Sequence, residues 1–307
     1  MNRNKREAVE KVVLTGTSVK SGLLDFVRDF KMLVKFRLSL TVVFSSAMGF
    51  LIASSGGWDW FSLFMLVIGG FLVTGAANIL NQVLEKDFDR LMERTAQRPL
   101  AAGRMRISEA VLLAGIMALF GVTMLAWFNP WTAFLGMVAL MMYAFVYTPL
   151  KRIGPVAVFV GAIPGALPTL IGAAAAEGFI SSLGASLFAI QFFWQFPHFW
   201  SIAWLGHDDY IRAGYRLLPD GAGERGNTTG LYAFLYALPL LPLALSPWLI
   251  GATSWVSAAV IAALSVGYAW LGWGLYRRND RKAALQLMFY SFIYIPVALI
   301  ALYLDKI

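Results

Sequence analysis

The 307-residue chain has no cysteine, only two histidines, and 14% charged residues, where a soluble globular domain carries roughly a quarter. Without cysteine there is neither a disulfide framework nor a thiolate metal site. The shortage of charge, with a mean hydropathy of +0.68, argues against a soluble domain and for a bilayer as the main solvent. No Walker loop, His-Glu-x-x-His helix or Ser–His–Asp set appears, so ATPase, zincin and hydrolase chemistry find no support. A cleaved leader is not expected either. The basic start runs to Arg37, too long for an n-region, and the apolar run after it lacks a small-residue cleavage site.

What is present is apolar sequence, 59% of the chain, with 28 glycines and 12 prolines, both commoner in membrane helices than in soluble ones. Nine stretches are long enough to span a bilayer as helices: 36–55, 59–82, 107–127, 130–148, 155–175, 178–204, 229–250, 253–275 and 284–304. Nine crossings put every one of the 25 basic residues except Lys306 on one face. An eight- or ten-helix count would scatter them over both. The positive-inside rule then predicts nine transmembrane helices around a central cavity, N-terminus in and C-terminus out. The expected localisation is a cell (inner) membrane, with the working face cytoplasmic. The net charge of +8 is thereby assigned to membrane lipid and not to nucleic acid. Residues 1–30 read as a cytoplasmic tail, disordered over about the first 20 because they lack an apolar face, and 31–307 as one intramembrane domain.

The two longest connections, 83–106 and 205–228, lie on the basic face. Long connections of this kind are functional or disordered, and their acidic residues argue for function. Asn81, Glu85 and Asp89 stand at i, i+4 and i+8, one face of a helix, and Asn78 carries that face one turn deeper. Asp87 points away. Oxygen donors on one stripe beside Lys and Arg suit a divalent cation plus a polyanion: Mg2+ takes one or two carboxylates and completes its shell with water and phosphate oxygens. A solvated helix end is the plainer explanation of such a cluster, but polar groups starting inside an apolar span are costly and usually functional.

A second stripe, Gln191, Gln195 and His198, lies on one face of the sixth stretch and leads to Trp200 and then to the acidic pair Asp208 and Asp209. Two carboxylate sets on two helix ends suit two Mg2+ ions sharing one diphosphate. His198 is a candidate for acceptor binding, with haem-iron ligation one option. His207 reads as a surface residue.

An apolar cavity capped by a metal–diphosphate rim suits transfer of a prenyl chain, since metal and basic groups stabilise the leaving diphosphate and a dry pocket protects the allylic cation. The motifs themselves resemble those of the UbiA-type intramembrane prenyltransferases, and most closely of the branch that farnesylates protohaem IX. They are Asn81-x-x-x-Glu85-x-Asp87-x-Asp89 with Met92-x-Arg94-Thr95-x-x-Arg98-Pro99, Lys35-Phe36-Arg37, Tyr147 to Arg152 leading to Gly161-Ala-Ile-Pro-Gly165-Ala166-Leu-Pro168, and Pro197-His198-Phe199-Trp200 with Asp208-Asp209-Tyr210 and Ala213-Gly214. The likeness runs from about residue 31 to the C-terminus.

The resemblance implies that farnesyl diphosphate alkylates a vinyl group of haem B, water is added, and haem O and pyrophosphate result. It implies Mg2+ and catalysis at Asn81, Glu85, Asp89, Asp208 and Asp209, diphosphate contacts from Lys35, Arg37, Lys86, Arg94, Arg98, Lys151 and Arg152, and acceptor contacts from His198, Gln195 and Trp200. A downstream haem-modifying enzyme or terminal-oxidase assembly is an implied partner. Three departures stand out. Glu85 replaces the superfamily's usual Asp, Phe36 replaces a Pro, and the second acidic set is Asp-Asp-Tyr with no spacing. The competing readings are a sister enzyme with an aromatic or quinone-precursor acceptor and, from another class, a transporter or oxidase-assembly scaffold.

Overall fold

A computed structural model describes residues 22, 24–220 and 225–307. Among these the chain is helical throughout, with no strand and one isolated bridge, Thr253 to Lys306. The helices are α1 (24–33), α2 (Phe36–Ala53), α3 (Trp60–Asp89), α4 (Ile107–Ala126), α5 (Pro130–Leu150), α6 (Val156–Glu177), α7 (Ser182–Leu205), α8 (His207–Arg212), α9 (Thr228–Leu249), α10 (Trp255–Arg278) and α11 (Arg281–Leu304). Eight of them, α2 to α6 and α9 to α11, are long and apolar enough to cross a membrane. The eight match eight of the expected stretches. α7 is 24 residues long, but Gln191, Gln195, Pro197 and His198 leave it too polar to join them. The expected tail of residues 1–30 lies largely outside the described residues, but residues 24–30 are already helical.

Local chemistry sets the helix limits. Asp59, Asn129, Ser181 and Asp280 cap the starts of α3, α5, α7 and α11 by accepting from backbone N–H groups. Gly178 and Asn279 end α6 and α10 in the left-handed conformation. Three prolines break α9 into short segments, Thr228–Ala237, Leu240–Leu243 and Ser246–Leu249. α2 and α6 meet almost backbone to backbone: a Cβ on Gly172 would fall 1.9 Å from the Ser46 carbonyl oxygen, and one on Gly49 would fall 2.3 Å from that of Thr169. Small residues at such a crossing are how membrane helices gain contact.

Two apolar clusters result, one built mainly on α2 to α6 and one on α6, α7 and α9 to α11. Between them lies a cavity of about 660 Å3 with walls from α2 to α7 and α11. The two long connections sit at one end of the bundle. Lys306, the one basic residue assigned to the opposite face, donates to the carbonyls of Leu51 and Ser54 at the far end of α2.

The entry to α2 positions the first functional side chain. Lys35 lies in the left-handed region (φ 49°, ψ 56°), which a residue other than glycine adopts only under constraint. The constraint comes from α3. Gln82 donates to the carbonyls of Met32 (3.0 Å) and Leu33 (2.7 Å), and Asn78 to that of Val34 (3.2 Å). These are the carbonyls a helix end leaves unpaired. Gln82→Leu is expected to cost about 1–3 kcal/mol of stability by leaving buried acceptors unsatisfied. It should also weaken diphosphate binding by loosening Lys35. Thermal unfolding in detergent checks the first and a binding isotherm the second.

Candidate functional site

The stripe on α3 is buried at the end of the bundle that carries the long connections: Asn81, Glu85 and Asp89 are each no more than 3% exposed. Asp87, expected to point away, is exposed and pairs with Arg90. Each oxygen donor of the stripe holds a cation brought from elsewhere in the chain. Lys35 Nζ donates to Asn81 Oδ1 at 2.7 Å. Lys151 Nζ stands 3.0 Å from Glu85 Oε1. Arg98 Nη1 reaches both Asp89 carboxylate oxygens at 2.8 Å. Asn81 Nδ2 links the set internally, donating to Glu85 Oε2 and to Thr148 Oγ1, each at 2.9 Å.

Asn78, one turn deeper on the same face, donates its Nδ2 to the Val34 carbonyl and the Ser39 hydroxyl, and its Oδ1 is buried without a hydrogen-bond partner.

Charge is finely balanced here. Burial, then the Arg98 and Lys151 cations, hold the Lys35 ammonium well below the ordinary lysine value. Burial also opposes the charge on Lys151, but the Glu85 carboxylate together with the nearby Tyr143 and Tyr210 hydroxyls outweighs it and raises the Lys151 pKa. Glu85 Oε1 accepts no aligned hydrogen bond although it is buried and close to Lys151. A buried carboxylate oxygen that accepts no aligned hydrogen bond, on one face with an amide oxygen and a second carboxylate, fits a Mg2+ ion that takes few protein ligands and fills its shell with phosphate oxygens and water.

Other basic residues flank the rim. Arg152 donates to the Leu84 carbonyl at 3.0 Å and lies over the Phe88 ring. Arg94 lies over the Tyr210 ring, 3.5 Å from its hydroxyl. Arg37 is exposed and Lys86 half-buried, and neither bonds to the stripe.

The second acidic pair stands apart. Asp208, 75% exposed, pairs with Arg225 at 2.9 Å, and Asp209 pairs with Arg212. Among the described residues no three of His, Asp or Glu gather into a metal-holding group, so the structure does not bring these two carboxylates together with Glu85 and Asp89. The two motifs meet instead through Arg94 on Tyr210 and through the Phe88 ring stacked on Tyr215 (5.5 Å). His207, expected at the surface, is buried at the start of α8, just after Gly206 ends α7.

Beneath the rim, Tyr143 and Tyr147 connect the charged site to the cavity. Both line it, with ring centroids 5.4 Å apart. Tyr143 accepts from Lys35 at 3.2 Å, and Lys151 lies 4.6 Å from the centre of the Tyr147 ring. The α5 backbone widens into a π-helical turn over Met142–Tyr147, just before Pro149, which has no N–H to give; such bulges recur at functional sites.

At the cavity's other wall His198 stacks on Trp194 (4.9 Å), and its Nδ1 lies 2.7 Å from Ser291 Oγ. The Ser291 hydroxyl donates its one proton to the Met288 carbonyl at 2.5 Å. In the tautomer that matches this bond, His198 Nδ1–H donates to Ser291 Oγ and Nε2 keeps a free lone pair. Gln195 lines the cavity too, but its amide bridges to the carbonyls of Ala162 and Gln191. Trp200 is not in the cavity wall. It is buried against Tyr232 and Tyr236 on another side of α7.

Comparison with known proteins gives the family and the fold. The model of the UbiA prenyltransferase family matches residues 42–293. The protoheme IX farnesyltransferase of Cytophaga hutchinsonii is 44% identical over 276 residues, covering 90% of this chain and 96% of that protein. The protoheme IX farnesyltransferase of Christiangramia forsetii is 39% identical over 298 residues, covering 95% and 98%. Among solved structures, a UbiA homologue from Archaeoglobus fulgidus bound to DMAPP and Mg2+ superposes with a TM-score of 0.66 at 15% identity, over 89% of this chain and 99% of that one.

Proposed function

Because the chain belongs to the UbiA prenyltransferase family, among the protoheme IX farnesyltransferases, we propose that it transfers the farnesyl group of farnesyl diphosphate to a vinyl group of haem B to give haem O. The observation that carries this reading is the buried Asn81–Glu85–Asp89 stripe, ringed by Lys35, Lys151 and Arg98, at the mouth of an apolar cavity.

Asn81, Glu85 and Asp89 would hold Mg2+, which when bound would supply Lewis-acid neutralisation of the leaving diphosphate. Lys35, Lys151 and Arg98 turn from the stripe to the phosphate oxygens, with Arg94 and Arg152 behind them and Arg37 and Lys86 at the edge. The arriving anion restores the charge that burial disfavours on Lys35. Asp208 and Asp209 act as an outer acidic pair, released from Arg225 and Arg212.

The allylic C–O bond breaks and its electron pair leaves with pyrophosphate. The Tyr143 and Tyr147 rings stand between that event and the cavity and keep water from it. The π pair of the haem vinyl group then bonds its terminal carbon to the farnesyl C1, and water adds through its oxygen to the other vinyl carbon and gives up one proton, which the released pyrophosphate takes. His198, with Nε2 free, orients haem through its iron.

In the same reading α7 crosses the bilayer as a ninth span, its polar face turned to the cavity, and the basic end faces the cytoplasm. The grouping of the basic residues at one end supports this. An inner-membrane setting and a downstream haem-modifying partner complete the proposal.

Purified protein given farnesyl diphosphate, Mg2+ and either haem B or 4-hydroxybenzoate tests it. The expected result is a product with the mass of farnesylated, hydrated haem. A prenylated hydroxybenzoate with no haem product would reject the acceptor and favour the sister enzyme.

A further inference from the structure

The α3 stripe does not stop at the metal site. Counting back from Asn81 by the steps that keep to one helix face, the next residues are Ala77, Thr74 and Gly70, and all three line the cavity. The side chains along this line are small and end with none at Gly70, about 16 Å below Asn81 on a continuous helix. Asn78 Oδ1, buried in the same wall without a hydrogen-bond partner, marks the upper end of this arm.

The adjacent glycines show that the space at Gly70 is not needed for packing. A Cβ on Gly69 would meet Met124 Cβ at 3.0 Å and Leu125 Cδ2 at 3.3 Å, so Gly69 serves the close crossing of α3 and α4. A Cβ on Gly70 would find only Val43 Cγ2, at an ordinary 3.8 Å. Gly70 thus faces open cavity, and Leu125, 1% exposed, lies in the cavity wall on the same side. The opposite wall carries His198, Trp194 and Phe292.

We propose that the arm along α3, walled by Val43 of α2 and Leu125 of α4, receives the prenyl tail, that the α7–α11 side receives the macrocycle, and that Gly70 sets the length of tail the enzyme accepts. The depth of the arm is comparable to an extended tail of three isoprene units. This inference rests on the prenyltransferase reading above.

The test uses the full chain as wild type, Gly70→Ala and Gly70→Leu. Geranyl and farnesyl diphosphate are compared both in binding without haem and in transfer to haem B. Alanine and leucine both favour helix over glycine, so thermal unfolding should be unchanged or raised. In Gly70→Leu, farnesyl binding and kcat/KM are expected to fall about tenfold or more while geranyl stays within about twofold, with Gly70→Ala between. An unchanged farnesyl-to-geranyl preference in folded Gly70→Leu, or an equal loss of both, would overturn the proposal. A wild type that binds both diphosphates but transfers neither would instead overturn the function, and the binding preference would still decide the role of Gly70.

Discussion

Asp89→Ala is expected to lower turnover by roughly a thousandfold while the protein remains inserted and folded. The side chain is 1% exposed, and both of its oxygens are engaged by Arg98. Removing it takes away a carboxylate from the Mg2+ shell and strands a partly buried guanidinium. Breaking a buried pair in this way costs about 3–5 kcal/mol when both charges are fully enclosed. Arg98 keeps 17% of its side chain in contact with solvent, so the loss should fall at the lower end of that range. Asp89→Asn keeps the shape and one acceptor. It should unfold near the wild-type temperature yet remain nearly inactive. Wild-type turnover in either variant would count heavily against the stripe as the metal site.

His198→Ala is expected to separate the two ends of the cavity. Farnesyl diphosphate binding, set at the α3 rim, should be unchanged. Transfer to haem should fall about a hundredfold, as misplacement of a reacting group commonly does, and the absorption band of bound haem should shift as the iron loses a nitrogen ligand. The variant loses the bond to Ser291 Oγ and the stacking on Trp194, so the unfolding temperature must be followed alongside. Ser291→Ala gives the companion result. The Nδ1 proton then has no acceptor, the ring is free to turn, and a smaller loss of transfer is expected. An unshifted haem spectrum in His198→Ala would remove the iron–imidazole contact from the account.

The rim was legible because helical periodicity alone puts Asn81, Glu85 and Asp89 on one face, and nothing in the fold disturbs α3. The same reasoning placed Gln191, Gln195 and His198 together in the α7 wall. Trp200 entered the acceptor set through the motif resemblance and not through that face: it stands two residues beyond His198, about 200° round the helix, turned toward Tyr232 and Tyr236.

Gln82 sits inside the first motif, yet its role was hidden. Its partners are backbone carbonyls of α1, set by how the chain enters α2. Tyr143 comes to Lys35 and Thr148 to Asn81 from α5 across a π-helical turn that a regular 3.6-residue period cannot anticipate. Gly70 carried no signal at all, because a glycine beside a glycine in an apolar span reads as packing until the neighbours of each are known.

The claim that the α3 stripe binds metal and diphosphate together is tested most directly by calorimetric titration of farnesyl diphosphate into wild-type protein and Asp89→Ala, each with Mg2+ and with a chelator in its place. The expected result is tight binding by the wild type only when Mg2+ is present, and weak, metal-insensitive binding by the variant. Equal affinity for farnesyl diphosphate with and without Mg2+, unchanged in Asp89→Ala, would contradict the account.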